Sequence, residues 1–282
     1  MNYCINYYGK DIKLLNSIDE INIELSHIKN MERDLEEFCS LHNNQRINLI
    51  IDDYENALNK KQIPFIFDFQ QQHKEYNIYI RLPEIDKKYY PMLKEKYKDM
   101  KFYLNIYAKD WDVIQGLIAE KVTDIYIVEE LGFDIADVAQ LIHEKNIKIR
   151  AFPNVAQSSW KNTPGIKKFW IRPEDVSYYE NIIDTFEFFG KYNQQTIFYN
   201  IYAKDKEWAG NLNNLIINLD EDINSMCLLP RFGEKRVSCK HRCQHGVNCQ
   251  MCNILLELSK NLEESNLRIK IDKNKDNEEG GE

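Results

Sequence analysis

Short apolar and β-branched runs alternate along the chain with stretches of helical periodicity. Runs at 2–7, 46–51, 76–82, 101–107, 123–128, 147–152, 167–172 and 196–202 predict strands, and 214–219 is a candidate ninth. Apolar positions recur with helical spacing in 28–42, 86–97, 109–120, 133–145, 175–189 and 253–265. Regular alternation of strand and helix predicts right-handed βαβ units on a parallel sheet. Eight such units within residues 1–220 predict a (β/α)8 TIM-like barrel. A doubly wound open sheet is the alternative, but the chain has no G-x-G-x-x-G turn for a dinucleotide.

Two internal repeats point the same way. Ile80-Arg81-Leu82-Pro83-Glu84 resembles Ile171-Arg172-Pro173-Glu174, and Asn105–Asp110 recurs word for word as Asn200–Asp205. Both recur in the same order at nearly the same offset, as expected of two joined half-barrels. Locally, each proline suits a strand end and a first helical turn. Asp110 and Asp205 suit helix N-caps, as do Asp52 and Asp53 before a helix at 54–60. If the repeats line the mouth of a barrel, Arg81, Glu84, Arg172 and Glu174 stand at strand carboxyl ends, where barrel enzymes place their chemistry. Glu130, which ends another strand, joins them as a candidate acid–base group.

After residue 220 the character changes. Residues 221–270 read as a cysteine-rich segment followed by a closing helix, and 271–282 as a polar acidic tail. The cysteine segment holds the sharpest motif. Cys239, Cys243, Cys249 and Cys252 stand in a C-x3-C-x5-C-x2-C spacing. Four thiols this close can converge on one metal with little closure cost. Gly246 permits a tight reversal, and Lys235, Arg236, Lys240 and Arg242 favour deprotonated thiolates. Zinc and an iron–sulfur (4Fe-4S) cluster both remain open on spacing alone. His241 and His245 are alternative ligands. Cys4 and Cys39 are isolated and read as small buried apolar residues.

Composition narrows the picture. The formal net charge is −8, the wrong sign for a general polyphosphate-binding surface. Seven cysteines without a secretion pattern argue against a disulfide framework. No apolar run approaches the ~18 residues that span a membrane. No signal-peptide pattern opens the chain, so a cytoplasmic protein is expected. There is no G-x-S-x-G, H-E-x-x-H or Walker loop. Asn154, Gln157 and Trp160 follow a predicted strand among polar residues, and Trp160 is placed to stack on a ring or a base.

Residues 76–252 resemble the collagenase-like peptidase family U thirty-two. The resemblance rests on the strand ending Ile127-Val128-Glu129-Glu130-Leu131-Gly132, and on the strand and polar segment from Lys148 to Gln157. It continues in Gly165–Glu174 and in the cysteine pair Cys239 and Cys243. The chain departs from the family in crowding four cysteines into 239–252, with Cys227 apart. The resemblance implies a barrel carrying an iron–sulfur cluster near its carboxyl end. It also implies either peptidase activity or oxygen-independent hydroxylation of an RNA base or another small ring. The alternative is a non-catalytic binding or scaffold protein with a structural zinc knuckle and a protein partner.

Overall fold

The computed structural model describes residues 1–7, 17–51, 53–83, 89–105, 107–108, 111–119, 122, 124–127, 135–157, 169–219 and 232–237. It also describes single positions 223, 225, 228, 254, 257 and 261. Their framework is one all-parallel sheet. Its strands are β1 (Asn2–Tyr7), β2 (Glu20–Glu24), β3 (Arg46–Ile50), β4 (Asn77–Pro83), β5 (Phe102–Asn105), β6 (Tyr107–Ala108), β7 (Asp124–Ile127), β8 (Lys148–Ala151) and β9 (Thr185–Glu187). The order is β5-β4-β3-β2-β1-β9-β8-β7-β6. The first and last members of that order are segments one residue apart in the chain, so the sheet curls strongly.

This α/β architecture corrects the expected (β/α)8 barrel. The eight predicted strands do not recur as an eightfold alternation of strand and helix. Within 167–172 the only pairing among the described residues is an isolated antiparallel bridge between Gln157 and Phe169. The predicted strand at 196–202 is helical instead, as the end of a helix running into a π-helical segment, Asn200–Asp205. The candidate ninth strand leaves one parallel bridge, Val155 with Ile217. Strands β2 and β9 arise where none was expected, and β9 falls inside the predicted helix 175–189. Between β8 and β9 the described connection is a 3-10 turn, Pro173–Tyr179, in place of an α-helix.

The repeats fail for a physical reason. The hexapeptide at 105–110 enters β5 and β6, whereas its copy at 200–205 follows directly on a helix and continues helical. Propensity is a weak prior, and the preceding structure decides.

The helices are α1 (Met31–Leu41), α2 (Tyr54–Asn59), α3 (Gln62–Gln72), α4 (Tyr90–Lys96), α5 (Trp111–Ala119), α6 (Ile135–His143), α7 (Tyr192–Tyr199) and α8 (Phe232–Val237). Their starts are set locally. Asn30 accepts from the Arg33 amide at 3.1 Å, while the Asn30 amide donates to Asp34 at 2.9 Å. Asp53 caps α2 by accepting from the Asn56 amide at 2.7 Å. Alternate strand residues (Ile21, Ile23, Ile47, Leu49, Ile78, Ile80, Ile125, Ile149 and Phe186) join Leu35, Ile63, Ile66, Leu93, Ile114, Leu117 and Ile142 of the helices in one buried cluster. The hydrophobic core therefore lies between the sheet and its helices. Among the described residues no helix is long and apolar enough to cross a membrane.

Candidate functional site: a charged hollow inside the sheet

Because side chains alternate across a strand, the residues between those apolar positions point to the concave face. They are Cys4 and Asn6 of β1, Glu20 and Asn22 of β2, Arg46 and Asn48 of β3, and Tyr79 and Arg81 of β4. Asp124 and Tyr126 of β7, Arg150 of β8, and Thr185 and Glu187 of β9 complete the set. Bulky branched apolar residues usually fill such a hollow. Here three arginines and three carboxylates fill it, all of them buried.

Their contacts cross the hollow. At the amino ends of the strands, Arg46 grips Asp124 through two bonds, 2.7 and 3.2 Å long. These strands are not neighbours in the sheet, so only its curl brings them together. Glu20 accepts from Arg150, from Thr185 at 3.0 Å and from Asn48 at 3.3 Å. Arg150, fully buried, also approaches Asp124 at 3.7 Å and Glu187 at 3.8 Å. It links the two ends of the hollow. Toward the carboxyl ends, Arg81 donates to Glu187 at 2.8 Å and the Tyr126 hydroxyl donates to the other oxygen. Arg46 lies 3.7 Å over the Tyr79 ring, and Arg81 lies 5.1 Å over that of Tyr126.

The electrostatics follow. Burial alone would raise the Glu187 carboxyl, but Arg81 and Arg150 outweigh it and hold it below the usual carboxylate range. Burial opposes charge on Arg46 as well, and Asp124 reverses the balance so that the guanidinium is held more firmly protonated. The Cys4 thiol is pushed well up, first by burial and then by Glu187, so it stays protonated. Three arginines and three carboxylates thus share a space that apolar residues would fill at lower cost. Clustered buried charge of this kind is found both at functional sites and in structural ion-pair networks.

At the carboxyl rim, Phe152 stacks on Tyr126 at 4.9 Å, and Phe189 meets Phe152 edge-on at 6.4 Å. Phe189 is 53% exposed. Asn154 clamps its backbone, donating to the Phe189 carbonyl at 2.8 Å and accepting from its amide at 3.1 Å. A pocket of about 420 Å³ lies at the amino end, beside Glu20, Arg46, Asn77, Tyr79 and Lys148.

Of the residues singled out in the sequence, Arg81 is in the hollow and Asn154 positions its rim. Gln157 serves through its backbone, which exchanges two bonds with Phe169. Arg172 and Glu174 form a different cluster. Arg172 grips Asp175 at 2.6 and 2.9 Å. Glu174 accepts from the Trp208 amide and the Ser225 hydroxyl, both at 3.0 Å. Glu84, Glu130, Trp160 and the cysteines Cys239, Cys243, Cys249 and Cys252 lie outside the described residues. Among those described, no group of three or more His, Cys, Asp or Glu side chains is arranged around a metal position. Glu20, Arg46, Asp124, Tyr126, Arg150 and Glu187 were not anticipated. Their signal was the polar residue at every second strand position, as in Glu20-Ile21-Asn22-Ile23-Glu24.

No protein-family model matches the chain, and neither a curated protein nor a solved structure does.

Proposed function

We propose that this chain is a metal-dependent enzyme that modifies a small planar ring, such as a nucleobase, at the carboxyl rim of its curled sheet. The observation that carries this reading is the rim itself. Arg81, Glu187 and Tyr126 form a fixed, charged hydrogen-bonding floor beneath Phe152 and the exposed ring of Phe189. A planar ring can stack on the exposed ring of Phe189, at the edge of that cluster. Cys239, Cys243, Cys249 and Cys252 would hold the metal, since four soft thiolates suit either an iron–sulfur cluster or zinc. An iron–sulfur cluster would supply electron transfer there. The likeness to the U thirty-two family supports oxygen-independent hydroxylation as the reaction class.

The test has two parts. Full-length protein purified without oxygen is expected to show a broad visible band bleached by dithionite and about four irons per chain. Titration with uridine is expected to show binding that Phe189→Ala weakens about 5- to 100-fold, the worth of one stacked ring. A colourless protein with one zinc per chain sinks the redox chemistry. Uridine binding indifferent to Phe189 sinks the rim as its site.

A second reading has its own observation. Every charge in the hollow has an oppositely charged neighbour within the protein, the arrangement of a structural interior. A zinc-stapled scaffold that engages a protein partner fits that balance, and the zinc outcome above selects it.

A further inference from the structure

The alternation that loads the hollow with charge runs one step further, to its amino end. Asn2 of β1, Asn77 of β4 and Lys148 of β8 stand two residues before Cys4, Tyr79 and Arg150, so they share the inward face. With Ser17 and Asn44 they line the pocket of about 420 Å³. Behind them its wall is made of Arg46, Glu20 and Gln45, all buried. Ligand pockets are usually walled by apolar side chains. Ile18 is the one aliphatic residue on this wall. The pocket therefore suits a ligand that is polar over its whole surface, unlike a ring stacked at the rim.

Most of the charge around the pocket is already committed. Asp124 takes both terminal nitrogens of Arg46, and Asn48 accepts from its Nε at 2.9 Å. Glu20 is held by Arg150, Thr185 and Asn48. Asp19 accepts from the Tyr3 amide at 2.8 Å. Two lysines are left over. Lys148 pairs in register with Asp124. Lys101 donates to Asn77 at 2.7 Å and lies 5.1 Å from the centroid of the Tyr79 ring, which Arg46 also covers. Both lysines thus flank the Arg46–Asp124 pair, and among the described residues neither forms an ion pair with a carboxylate. Burial, and then the charge of Arg46, hold the Lys101 ammonium below its usual range. An anion beside it would relieve that strain on its charge.

We propose that this amino-end pocket binds a small phosphorylated polyol, with its phosphate paired to Lys148 and Lys101 and its hydroxyls among the amide side chains. A phosphate monoester carries close to two negative charges at neutral pH. Two ammonium groups match it, where a carboxylate would satisfy only one. Lysine serves phosphate as a point charge. Arg46, its fork already filled by Asp124, adds field and no bond. Asn2, Asn44 and Asn77 each offer a donor and an acceptor, the two things a hydroxyl asks for. The pocket lies at the opposite strand ends from the rim, so it is independent of any ring bound there.

Calorimetric titration of the full-length protein with ribose 5-phosphate tests this. Binding is expected, with ribose and inorganic phosphate each weaker by about 10-fold or more. Lys148→Gln and Lys101→Gln change exposed side chains and are each expected to weaken binding about 10- to 100-fold, the worth of one charge-assisted hydrogen bond. Phe189→Ala, at the far rim, is expected to leave it unchanged. No binding of ribose 5-phosphate at about 10 mM overturns the site. Inorganic phosphate bound as tightly as ribose 5-phosphate overturns the polyol. Binding indifferent to both lysines, or lost with Phe189→Ala, overturns the pocket as its place.

Discussion

Arg150→Met is the sharpest probe of the charged hollow. Arg150 touches all three carboxylates, Glu20, Asp124 and Glu187, and is fully buried. Methionine keeps much of its volume, so the change tests charge more than space. Three carboxylates would then face two arginines. Each lost contact near 4 Å is worth about 4 kcal/mol at an effective dielectric of 20. The gain from not burying the guanidinium offsets much of this, and orphaning one buried ionic partner typically costs about 3–5 kcal/mol net. For a chain of this size that lowers the unfolding midpoint by roughly 6–20 °C. The deficit must also shrink in acid, because Glu187 loses one of the two cations that hold its carboxyl down and takes up a proton more readily. Urea unfolding at pH 7 and pH 5 measures both effects. Glu20→Gln combined with Arg150→Met should recover part of the loss, since it removes one unpaired charge. A cost below about 1 kcal/mol that does not change with pH would refute the account, since exposed ion pairs are worth no more than that.

Two further outcomes follow from local geometry. Asn154→Ala removes both bonds that hold Phe189 and should cost about 2–3 kcal/mol in denaturant unfolding, with a matching loss of uridine affinity. Burial lowers the His42 imidazole, its Nδ1 lies 2.6 Å from Gln45, and its Nε2 has no hydrogen-bond partner among the described residues. The folded protein therefore binds a proton there less readily than the unfolded chain does. Stability should be complete above about pH 6.5 and fall as pH drops from there toward the folded value. His42→Phe should remove that slope from the pH dependence of the midpoint, and a slope that survives the substitution would clear His42.

The strands at 2–7, 46–51, 76–82, 123–128 and 147–152 were legible because their apolar residues pack against helices wherever the sheet goes. The strand β2 was not, since glutamate and asparagine alternate with isoleucine there and resemble a half-solvated edge more than a buried strand. In a parallel sheet covered by helices, that alternation signals a polar interior, which single runs do not disclose. The strand β9 has three residues, too few to carry a period. Arg81 was found through its repeat with Arg172, yet the two serve different clusters: one pairs across the sheet with Glu187, the other with its neighbour Asp175. Sequence spacing showed where arginine occurs; only the curl of the sheet shows whom it meets. The cysteine motif, Cys239 to Cys252, lies outside the described residues.

The hollow also bears on how the chain survives its own synthesis. Glu20 finds Thr185 and Arg150 only 165 and 130 residues later. While the ribosome still holds those later strands, β2, β3 and β4 already present glutamate, asparagine and arginine on their unfinished inner surface. Water wets such a surface, whereas an isoleucine-lined one would cling to other nascent chains. The ionic interior thus gives up some final stability, and in exchange the growing protein exposes a largely polar concave side until its last strand arrives.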